Sequence, residues 1–510
     1  MESARWSKQG SLYSDGNYQN LSPSRTRFKA IQRYNSSNSL PSLPTRPCMY
    51  VWTYACFFAA IFFIFLAGTR RVADPKGDHR GGKGVNFFRL PALAVPVDQN
   101  CEGRRVYMYE LPPEFNIIAQ DSTKCNRSLI PWMDICPRFR NEGFGADLHS
   151  SESSSRALDP EFNDSDWYET DFYMLDVIFH SRMKRYRCLT QNASKADALY
   201  VPHYTGILAL DYLYGSRPYE ERKWFGKDLI DWLERNGGES WRRYAGKDHF
   251  LAMGRTTWDF RISETWGTAF SELPHVANMT SLMIESSSRF SPEQAIPYLT
   301  VFHPSSSQRL HRWIETVTNS KRRYLFSYVG APRDDDPSSV RGIMISSCNA
   351  AGKAVCSFVD CSVTSCSHNP VPTYKSFLRS HFCLQPRGDS HTRRSTFDCL
   401  ISGAIPVFFH VSSAYTQYSW HLPRDPKSYS VFVDEDDLKR GVSIEHVLRS
   451  YSQETIEDMQ KTIVSMIPNL LYFDCRKDGC SSMSEMDAFD LTVEGLLARI
   501  AHMKNHFNDS

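Results

Sequence analysis

The amino-acid sequence predicts an α/β fold built from two doubly wound units. Between residues 101 and 320, short β-rich runs alternate with segments of helical apolar spacing, and this alternation is typical of a parallel sheet covered by helices. The same pattern starts again at a predicted strand, 324–329. The chain has 510 residues, 41% of them hydrophobic and 23% charged, which suits two or three domains of ordinary size.

The strands and helices of the first unit are predicted, in chain order, from its β-rich runs and its segments of helical apolar spacing. "RRVYMYELPP" predicts a strand at 106–109 that stops at a Pro pair, and "ADALYVPHYTG", "DHFLAMG" and "YLTVF" predict three more strands. "WYETDFYMLDVIFHSRMKRY", "GKDLIDWLERN" and "SSQRLHRWIETVTN" have apolar spacings that predict helices. The strands and helices alternate along the chain, as a doubly wound sheet requires.

The second unit contains the stretch "FCLQPRGDSHTRRSTFDCLISGAIPVFF", 382–409. It predicts a strand at 382–386, a loop at 387–393, a helix at 394–402 capped by Gly403, and a strand at 405–409. Ligands of open parallel sheets bind beyond the carboxyl ends of strands, where the free N–H groups of a helix favour phosphate. The tetrapeptide RGDS lies at that position. From the residues alone, phosphate binding and a solvated turn are both compatible with it.

Segments outside the two units are defined by composition. Residues 49–68 carry no charge over twenty residues, which at ~1.5 Å per residue is long enough to cross about 30 Å of hydrocarbon. The 48 residues before them distinguish the segment from a cleavable signal peptide. We predict a disordered cytosolic tail at 1–48, a transmembrane signal anchor at 49–68, a lumenal stem at 69–100, domains at 101–320 and 321–484, and a C-terminal helix and tail at 485–510.

Cysteines and glycosylation sequons indicate the orientation of the predicted anchor. The basic residues on its two sides are nearly balanced, but twelve of the fourteen cysteines follow it, as do five N-x-S/T sites, of which the one at Asn508 is too near the C-terminus to be expected to carry a glycan. Both features suit an oxidising, glycosylating lumen. The sequence therefore predicts a type II membrane protein with a lumenal body that carries glycans on Asn126, Asn163, Asn192 and Asn278.

Charge gives no indication of a nucleic-acid partner. The net charge is +2, from 59 basic and 57 acidic residues, whereas nucleic-acid-binding proteins concentrate a strong basic excess on one face. The acidic runs "DDD", 334–336, and "DEDD", 434–437, suggest a metal site, but solvated turns are the simpler interpretation. We expect no metal and no cofactor.

Two local disulfides are predicted in the second unit. Zinc sites favour pairs spaced C-x2-4-C, but the four clustered cysteines have spacings of eight, five and five, so a lumenal location favours disulfides whose pairing stays open. Cys475 and Cys480 are candidates for a third small loop. Cys383 and Cys399 fall inside a strand and a helix and are predicted to be buried thiols. The clustered cysteines are Cys348, Cys356, Cys361 and Cys366.

Several motifs together resemble one family over 101–505. In chain order they are "VYMYELPPEFN", "DVIFHSRMKRYRCLT", "GKDHFLAMGRTTWDFR", "SYVGAPRDDDPSSVRG", the stretch 382–409 and "SAYTQYSWHLP". They resemble the plant exostosin-type glycosyltransferases of family 47, in particular the xyloglucan galactosyltransferase subgroup. The resemblance implies a GT-B fold, in which two Rossmann-like domains face a cleft. It also implies inverting, metal-independent transfer of a sugar from UDP to xylose side chains of xyloglucan at the Golgi membrane, with other xyloglucan-synthesising enzymes as possible partners.

The resemblance also assigns residues to the donor. Asp398 falls where related sequences place an acid that holds the ribose, although a surface acid or one favoured by the helix macrodipole fits its position equally. A second group is expected near the donor phosphates: Arg333, Arg341, Asp389, Ser390, Arg393 and Arg394.

For the catalytic base, Asp259 of "TTWDF" is the first choice and Asp248 and His249 of "GKDHF" are the next, because these residues are expected to follow a strand of the first unit and to face the cleft. Structural acids bonded to loop backbone are the alternative. Tyr415, Tyr418 and Trp420 supply rings that either stack on acceptor sugars or pack between domains.

Two residues of loop 387–393 differ from those usual in the xyloglucan galactosyltransferase subgroup. The subgroup usually has Gln where this chain has Arg387, and Tyr where it has His391. An added guanidinium at Arg387 suits a uronate carboxylate, so UDP-galacturonate, and also UDP-arabinose, stand as alternatives to UDP-galactose. A membrane-anchored adhesion or scaffold protein that presents RGDS is the rival of another class, and a catalytically dead relative is a further one.

Overall fold

The computed structural model describes residues 101–117, 125, 134–149, 162, 166–215, 217–287, 292–332, 339–364, 366, 370–388, 390–476 and 479–508. These residues belong to one compact unit that contains two parallel β-sheets. The predicted tail, anchor and stem at 1–100 lie outside them. Within the described ranges, no helix combines the length and the apolar character needed to cross a membrane.

The first sheet has six parallel strands in the order β2-β1-β3-β4-β5-β6. Strands β4 and β5 are buried along nearly their whole length, and for this reason their sequences are continuous apolar runs rather than alternating ones. The chain reverses its direction across the sheet between β1 and β3. The strands are β1 Val106–Met108, β2 Leu189–Thr190, β3 Ala198–Tyr200, β4 His249–Thr256, β5 Thr280–Glu285 and β6 Glu293–Ala295.

Five helices accompany this sheet. The third is amphipathic and buries Leu229, Ile230 and Leu233, and the hydroxyl of Ser306 caps the fifth by accepting from the backbone N–H of Arg309. The helices are α1 Leu175–Lys184, α2 Thr205–Tyr214, α3 Lys227–Asn236, α4 Gly238–Arg242 and α5 Ser307–Asn319.

The second sheet has five parallel strands in the order β11-β10-β9-β7-β8. The chain reverses between β7 and β9, and in doubly wound sheets ligands bind beyond the carboxyl ends of the strands at that point. The loop that contains RGDS follows β9 directly. The strands are β7 Tyr324–Gly330, β8 Cys356–Asp360, β9 Ser380–Gln385, β10 Ile405–Phe408 and β11 Val431–Phe432.

The predicted strand-helix-strand unit at 382–409 is confirmed to within two residues at each end. A helix, α8 Arg394–Ile401, connects β9 to β10, and Gly403 follows it with φ +68°, a conformation that suits glycine. The other helices of this half are α6 Val340–Ala351, α7 Val371–Leu378, α9 Glu435–Lys439, α10 Ile444–Arg449 and α11 Gln453–Leu470.

The final helix, α12 Ala488–Asn508, returns to the first half of the molecule. Glu494 pairs with Arg104, and the Nζ of Lys504 donates to the carbonyl of Asp197 (2.7 Å). The rings of Phe489 and Phe179 lie 4.8 Å apart. The α12 helix therefore completes the packing of the first sheet, although it follows the second sheet in sequence.

Six disulfides connect the described cysteines, and one of them corrects a prediction. Cys383 and Cys399 are bonded to each other, with Cα atoms 6.5 Å apart, and are not thiols. The prediction was wrong because a strand and its following helix pack together, so residues in two regular elements come within bonding range. The other pairs are Cys101–Cys188, Cys125–Cys136, Cys348–Cys356, Cys361–Cys366 and Cys475–Cys480.

Candidate functional site

The carboxyl edge of the first sheet meets the loop that follows β9 of the second sheet. Strands β4 and β5 end side by side, since Thr256 pairs with Glu285. Loop 386–393, between β9 and α8, lies against this edge. We therefore take this junction as the candidate site, because it combines the ligand-binding ends of two parallel sheets.

Glu285 is the centre of the contact between the halves. It is 0% exposed and accepts from the backbone N–H (2.9 Å) and hydroxyl (2.7 Å) of Thr392 and from the backbone N–H of His391 (3.3 Å). The indole N–H of Trp258 donates to the same carboxylate (3.2 Å). Burial raises the pKa of Glu285, although these hydrogen bonds act in the opposite direction.

Sequence reasoning missed Glu285. The residue ends the run "SLMIE", which had not been assigned to a strand, and its partners are more than a hundred positions away. One indication was available, because an ionisable residue in an otherwise apolar run requires a partner when it is buried.

Of the predicted donor residues, Ser390, Arg393, Arg394 and Asp398 lie just before α8 or within it, whereas Arg341 lies in α6. The guanidinium of Arg394 donates to the carbonyl of Thr170 in the first half (3.0 Å) and lies 3.6 Å from Asp398 Oδ2. Arg393 is buried, as is Arg341, which donates to the carbonyl of Ala331 (3.4 Å). Arg333 and Asp389 fall outside the described residues.

Asp398 is not a surface acid, because it is only 6% exposed. The hydroxyl of Tyr374 donates to its Oδ1 (2.6 Å), and burial together with this carboxylate raises the pKa of Tyr374 well above its ordinary value. The Oδ2 oxygen faces the guanidinium of Arg394. A buried, charged carboxylate at this place can accept from a ligand's hydroxyl groups at the carboxyl edge of the sheet.

The two residues that depart from the subgroup lie close together. Arg387 Nε donates to Glu435 Oε1 (2.8 Å). The imidazoles of His391 and His410 are stacked, with ring centres 4.6 Å apart and planes inclined by 9°. Burial, with a smaller contribution from His410 and Arg387, lowers the pKa of His391 to about 4, so its ring is neutral at pH 7.

The three candidate bases occupy different places. Asp259 lies in the turn after β4, at the junction, where its carboxylate accepts from Arg255 (2.9 Å) and Trp266 (2.8 Å). Asp248 and His249 stand at the amino end of β4 and bond each other (2.8 Å), about 23 Å from its carboxyl end at ~3.3 Å per residue. The structure therefore brings only Asp259 to the loop.

The environment of Asp248 and His249 is closed. Both side chains are fully buried, and Asp248 also accepts from Arg243 (2.7 Å). Although burial alone would raise the pKa of Asp248, hydrogen bonds from His249 and Arg243 hold it below its ordinary value. The other imidazole nitrogen of His249 bonds the hydroxyl of Tyr109 (3.0 Å).

The predicted acceptor rings pack between elements. Tyr418 is 0% exposed and donates to the carbonyl of Ile284 (2.8 Å), and Tyr415 bonds the Ser430 hydroxyl (3.0 Å). Trp420 lies so close to Gly495 of α12 that a Cβ there would be 2.4 Å from the indole. Tyr418 is therefore enclosed, whereas Tyr415 and Trp420 remain partly exposed.

Of the two acidic runs, only 434–437 falls in the described residues, where it lies at the start of α9. Within the ranges that the structure covers, no group of three metal-ligating side chains could hold an ion. Asp434 caps α9 by accepting from the backbone N–H of Asp436 (2.8 Å), and Asp437 pairs with Arg440. The run 334–336 lies outside the described residues. The 434–437 acids thus stabilise a helix N-terminus.

Two of the predicted glycosylation sites can be located. Asn192 and Asn278 are exposed, as a glycan requires. Asn126 and Asn163 lie outside the described residues.

Comparison with known proteins gives consistent matches. The exostosin GT47 domain model matches residues 100–448. Xyloglucan galactosyltransferase MUR3 of Arabidopsis thaliana is 39% identical over 432 residues, covering 83% of this chain and 67% of that protein. From the same plant, probable xyloglucan galactosyltransferase GT12 is 42% identical (82% and 80% covered) and xyloglucan galactosyltransferase XLT2 is 37% identical (80% and 77%).

A comparison with solved structures gives a weaker likeness. A chain of the GtfA/B complex covers 66% of this chain and 61% of its own length, with a TM-score of 0.28 and 9% identity. That likeness is too slight to bear on the fold.

Proposed function

Because the chain belongs to the exostosin GT47 family of glycosyltransferases, we propose that it transfers galactose from UDP-galactose to xylose side chains of xyloglucan, with inversion at the anomeric carbon. Relatives that are 37 to 42% identical over most of the chain carry the name of this activity. The observation that carries the proposal is the position of loop 386–393, beyond the carboxyl end of β9 at the point where the second sheet reverses.

The two parallel sheets would act as the halves of a GT-B enzyme. The N-terminus of α8, with Arg393 and Arg394, would stabilise the UDP leaving group through N–H groups and guanidinium charge, without a metal. Asp398, whose Oδ1 accepts from Tyr374, would accept from the ribose hydroxyls.

Asp259 is our proposed base, because it alone of the three candidates follows the carboxyl end of β4. It would take the proton from the attacking xyloglucan hydroxyl while UDP leaves the opposite face of the sugar. Its two oxygens accept from Arg255 and Trp266 in the structure without ligand, so one of these bonds would have to lengthen on acceptor binding.

The charge around Arg387 favours a neutral donor sugar. Its guanidinium is already paired with Glu435, and a uronate brought to this pair would add a second carboxylate to one cation. This supports UDP-galactose over UDP-galacturonate, whereas UDP-arabinose, a neutral pentose donor, would meet the same pair.

The donor is tested with the full-length chain in detergent, UDP-galactose, UDP-galacturonate and UDP-arabinose, and xylosylated glucan oligosaccharides. Mass spectrometry of the product is expected to show added hexose, and the preference for galactose is expected to survive in Arg387→Gln. Transfer of uronate alone, lost in that variant, would contradict the neutral-sugar assignment.

We also propose that residues 49–68 anchor the chain in the Golgi membrane with residues 101–510 in the lumen, beside other xyloglucan-synthesising enzymes. The twelve lumenal cysteines support an oxidising compartment. Endoglycosidase digestion of sealed Golgi vesicles is expected to leave the glycans untouched until detergent is added. The rival adhesion role receives little support, since Arg387 is ion-paired and the following backbone is bonded to buried Glu285.

A further inference from the structure

One contact between the two halves joins a single side chain to two consecutive residues of the opposite half. Glu285, at the end of β5, accepts hydrogen bonds from His391 and Thr392, which lie just before α8. Two of these bonds come from backbone N–H groups. Because backbone donors have fixed directions, a carboxylate that accepts several of them sets the path of the chain that supplies them.

The same strand end is held from a second side. The side-chain amide of Gln417 both donates to the carbonyl of Ser286 (2.8 Å) and accepts from its backbone N–H (3.0 Å). Tyr418 donates to the carbonyl of Ile284. Residues 284–286 therefore form a fixed point against which the loop is placed, and Glu285 is the part of it that touches the loop.

We propose that Glu285 is a positioning residue for the donor site: its carboxylate holds residues 391 and 392 in the conformation that presents the start of α8 to the diphosphate of a nucleotide sugar. The inference rests on the proposed function, since it concerns the same site. It goes beyond that function by assigning the geometry of the donor loop to a residue of the opposite half.

A general base needs a carboxylate oxygen that can take up a proton, but both oxygens of Glu285 already accept hydrogen bonds from the protein. One of its oxygens accepts from Thr392 twice, and the other accepts from His391 and Trp258. To take a proton from an acceptor hydroxyl, the carboxylate would have to release the loop that it holds. Its partners therefore indicate positioning and not proton transfer.

Four variants of the full-length chain test this role. Glu285→Gln keeps the shape but turns one acceptor oxygen into a donor that faces N–H groups, and Glu285→Asp keeps the charge on a shorter side chain. Thr392→Val removes one hydroxyl donor. Asp176→Asn is the matched control, because Asp176 is also fully buried and accepts from the backbone N–H groups of Gly206 and Gly254, within the first half.

Three quantities are measured for each variant: the Kd for UDP by calorimetry, kcat and donor KM, and hydrogen exchange of peptides that cover 386–397. Glu285→Gln is expected to raise the UDP Kd and the donor KM at least about tenfold, since charged hydrogen bonds are lost, and to speed exchange in this segment. Its kcat is expected to fall less than KM rises. Glu285→Asp is expected to recover part of the affinity, Thr392→Val to lose about threefold, and Asp176→Asn to leave the UDP Kd unchanged.

The outcomes separate this inference from the proposed function. A wild-type chain that binds no UDP would overturn the proposed function. Wild type that binds UDP, with a folded Glu285→Gln that binds it equally well and exchanges at the same rate, would overturn only the positioning role. A kcat at least a thousandfold lower with unchanged KM and Kd would make Glu285 a catalytic base and also overturn it. If Glu285→Gln does not fold, Thr392→Val decides, because unchanged affinity there contradicts the inference.

Discussion

Two buried carboxylates stand at the same edge of the first sheet and differ in where their partners come from. Asp259, just after β4, accepts from Arg255 and Trp266, both in its own half. Glu285, at the end of β5, accepts from Thr392 of the other half. Both side chains are buried, so burial alone does not distinguish their roles. The origin of the partners does, because only Glu285 can respond to movement of one half against the other.

The largest expected effect concerns Asp259. If it is the base, Asp259→Asn lowers kcat by about 10²- to 10⁴-fold, measured with UDP-galactose and xyloglucan oligosaccharide. Trp266→Phe is the matched control, since it removes the indole donor to Asp259 and leaves the carboxylate. A folded Asp259→Asn chain with kcat within threefold of wild type would make the residue structural, and the comparison would then rest on Glu285 alone.

The next prediction tests whether the Cys383–Cys399 disulfide or Glu285 orders the loop between β9 and α8. Cys383→Ser combined with Cys399→Ser opens a disulfide that spans a sequence separation of 16, and we expect a loss of about 3 kcal/mol of unfolding free energy in urea. The double variant Cys348→Ser, Cys356→Ser, with a separation of 8, is the control that leaves the donor loop closed. UDP affinity that falls only in the first double variant would show that the crosslink shares the positioning role; equal affinity in both would leave that role to Glu285.

A third effect concerns the other buried acid of the junction, Asp398. We expect Asp398→Asn to weaken UDP binding by about tenfold or more, as measured by calorimetry, because a charged acceptor for the ribose hydroxyls is lost. Tyr374→Phe removes only the hydroxyl that donates to Oδ1 and is expected to have a smaller effect. An unchanged UDP affinity in Asp398→Asn would show that this carboxylate has only a structural role.

The smallest expected effect is a change in how the stability of the folded chain depends on pH. Burial raises the pKa of Asp176 to about 7, although backbone N–H groups of Gly254 and Gly206 lower it. Because the folded chain keeps this proton longer than the unfolded chain, the group's contribution to stability is full below pH ~4 and is lost as pH rises through 7. The Tm advantage of wild type over Asp176→Asn is therefore expected to shrink from pH 4.5 to pH 7.5. An advantage that grows over this range would contradict the raised pKa.

Local patterns predicted local structure well. The strand, loop and helix at 382–409 follow from apolar runs, a polar turn and a glycine C-cap, and all of these act over fewer than thirty residues. The contact of Glu285 with Thr392 depends on how two sheets dock, and no periodicity in either segment encodes that.

The aromatic residues at 415–420 show the same limit of prediction from sequence. An aromatic-rich loop is compatible with stacking on a polymer and with packing between elements, and only the tertiary structure shows that Tyr418 bonds Ile284 and that Trp420 covers Gly495. Cys383 and Cys399 were misjudged for the same reason, because their proximity arises from the packing of a helix on its strand.

The return of α12 to the first half has a consequence for synthesis. Residues of α1 such as Phe179 find their partner Phe489 only after the whole second half has been made, which at ~5–20 residues per second takes about 15–60 s for the intervening residues. During that interval the nascent first half exposes the apolar surface that α12 will cover. We therefore expect the nascent first half to depend on chaperones, and we expect a C-terminal fusion that hinders α12 to reduce the yield of folded protein more than one placed before residue 49.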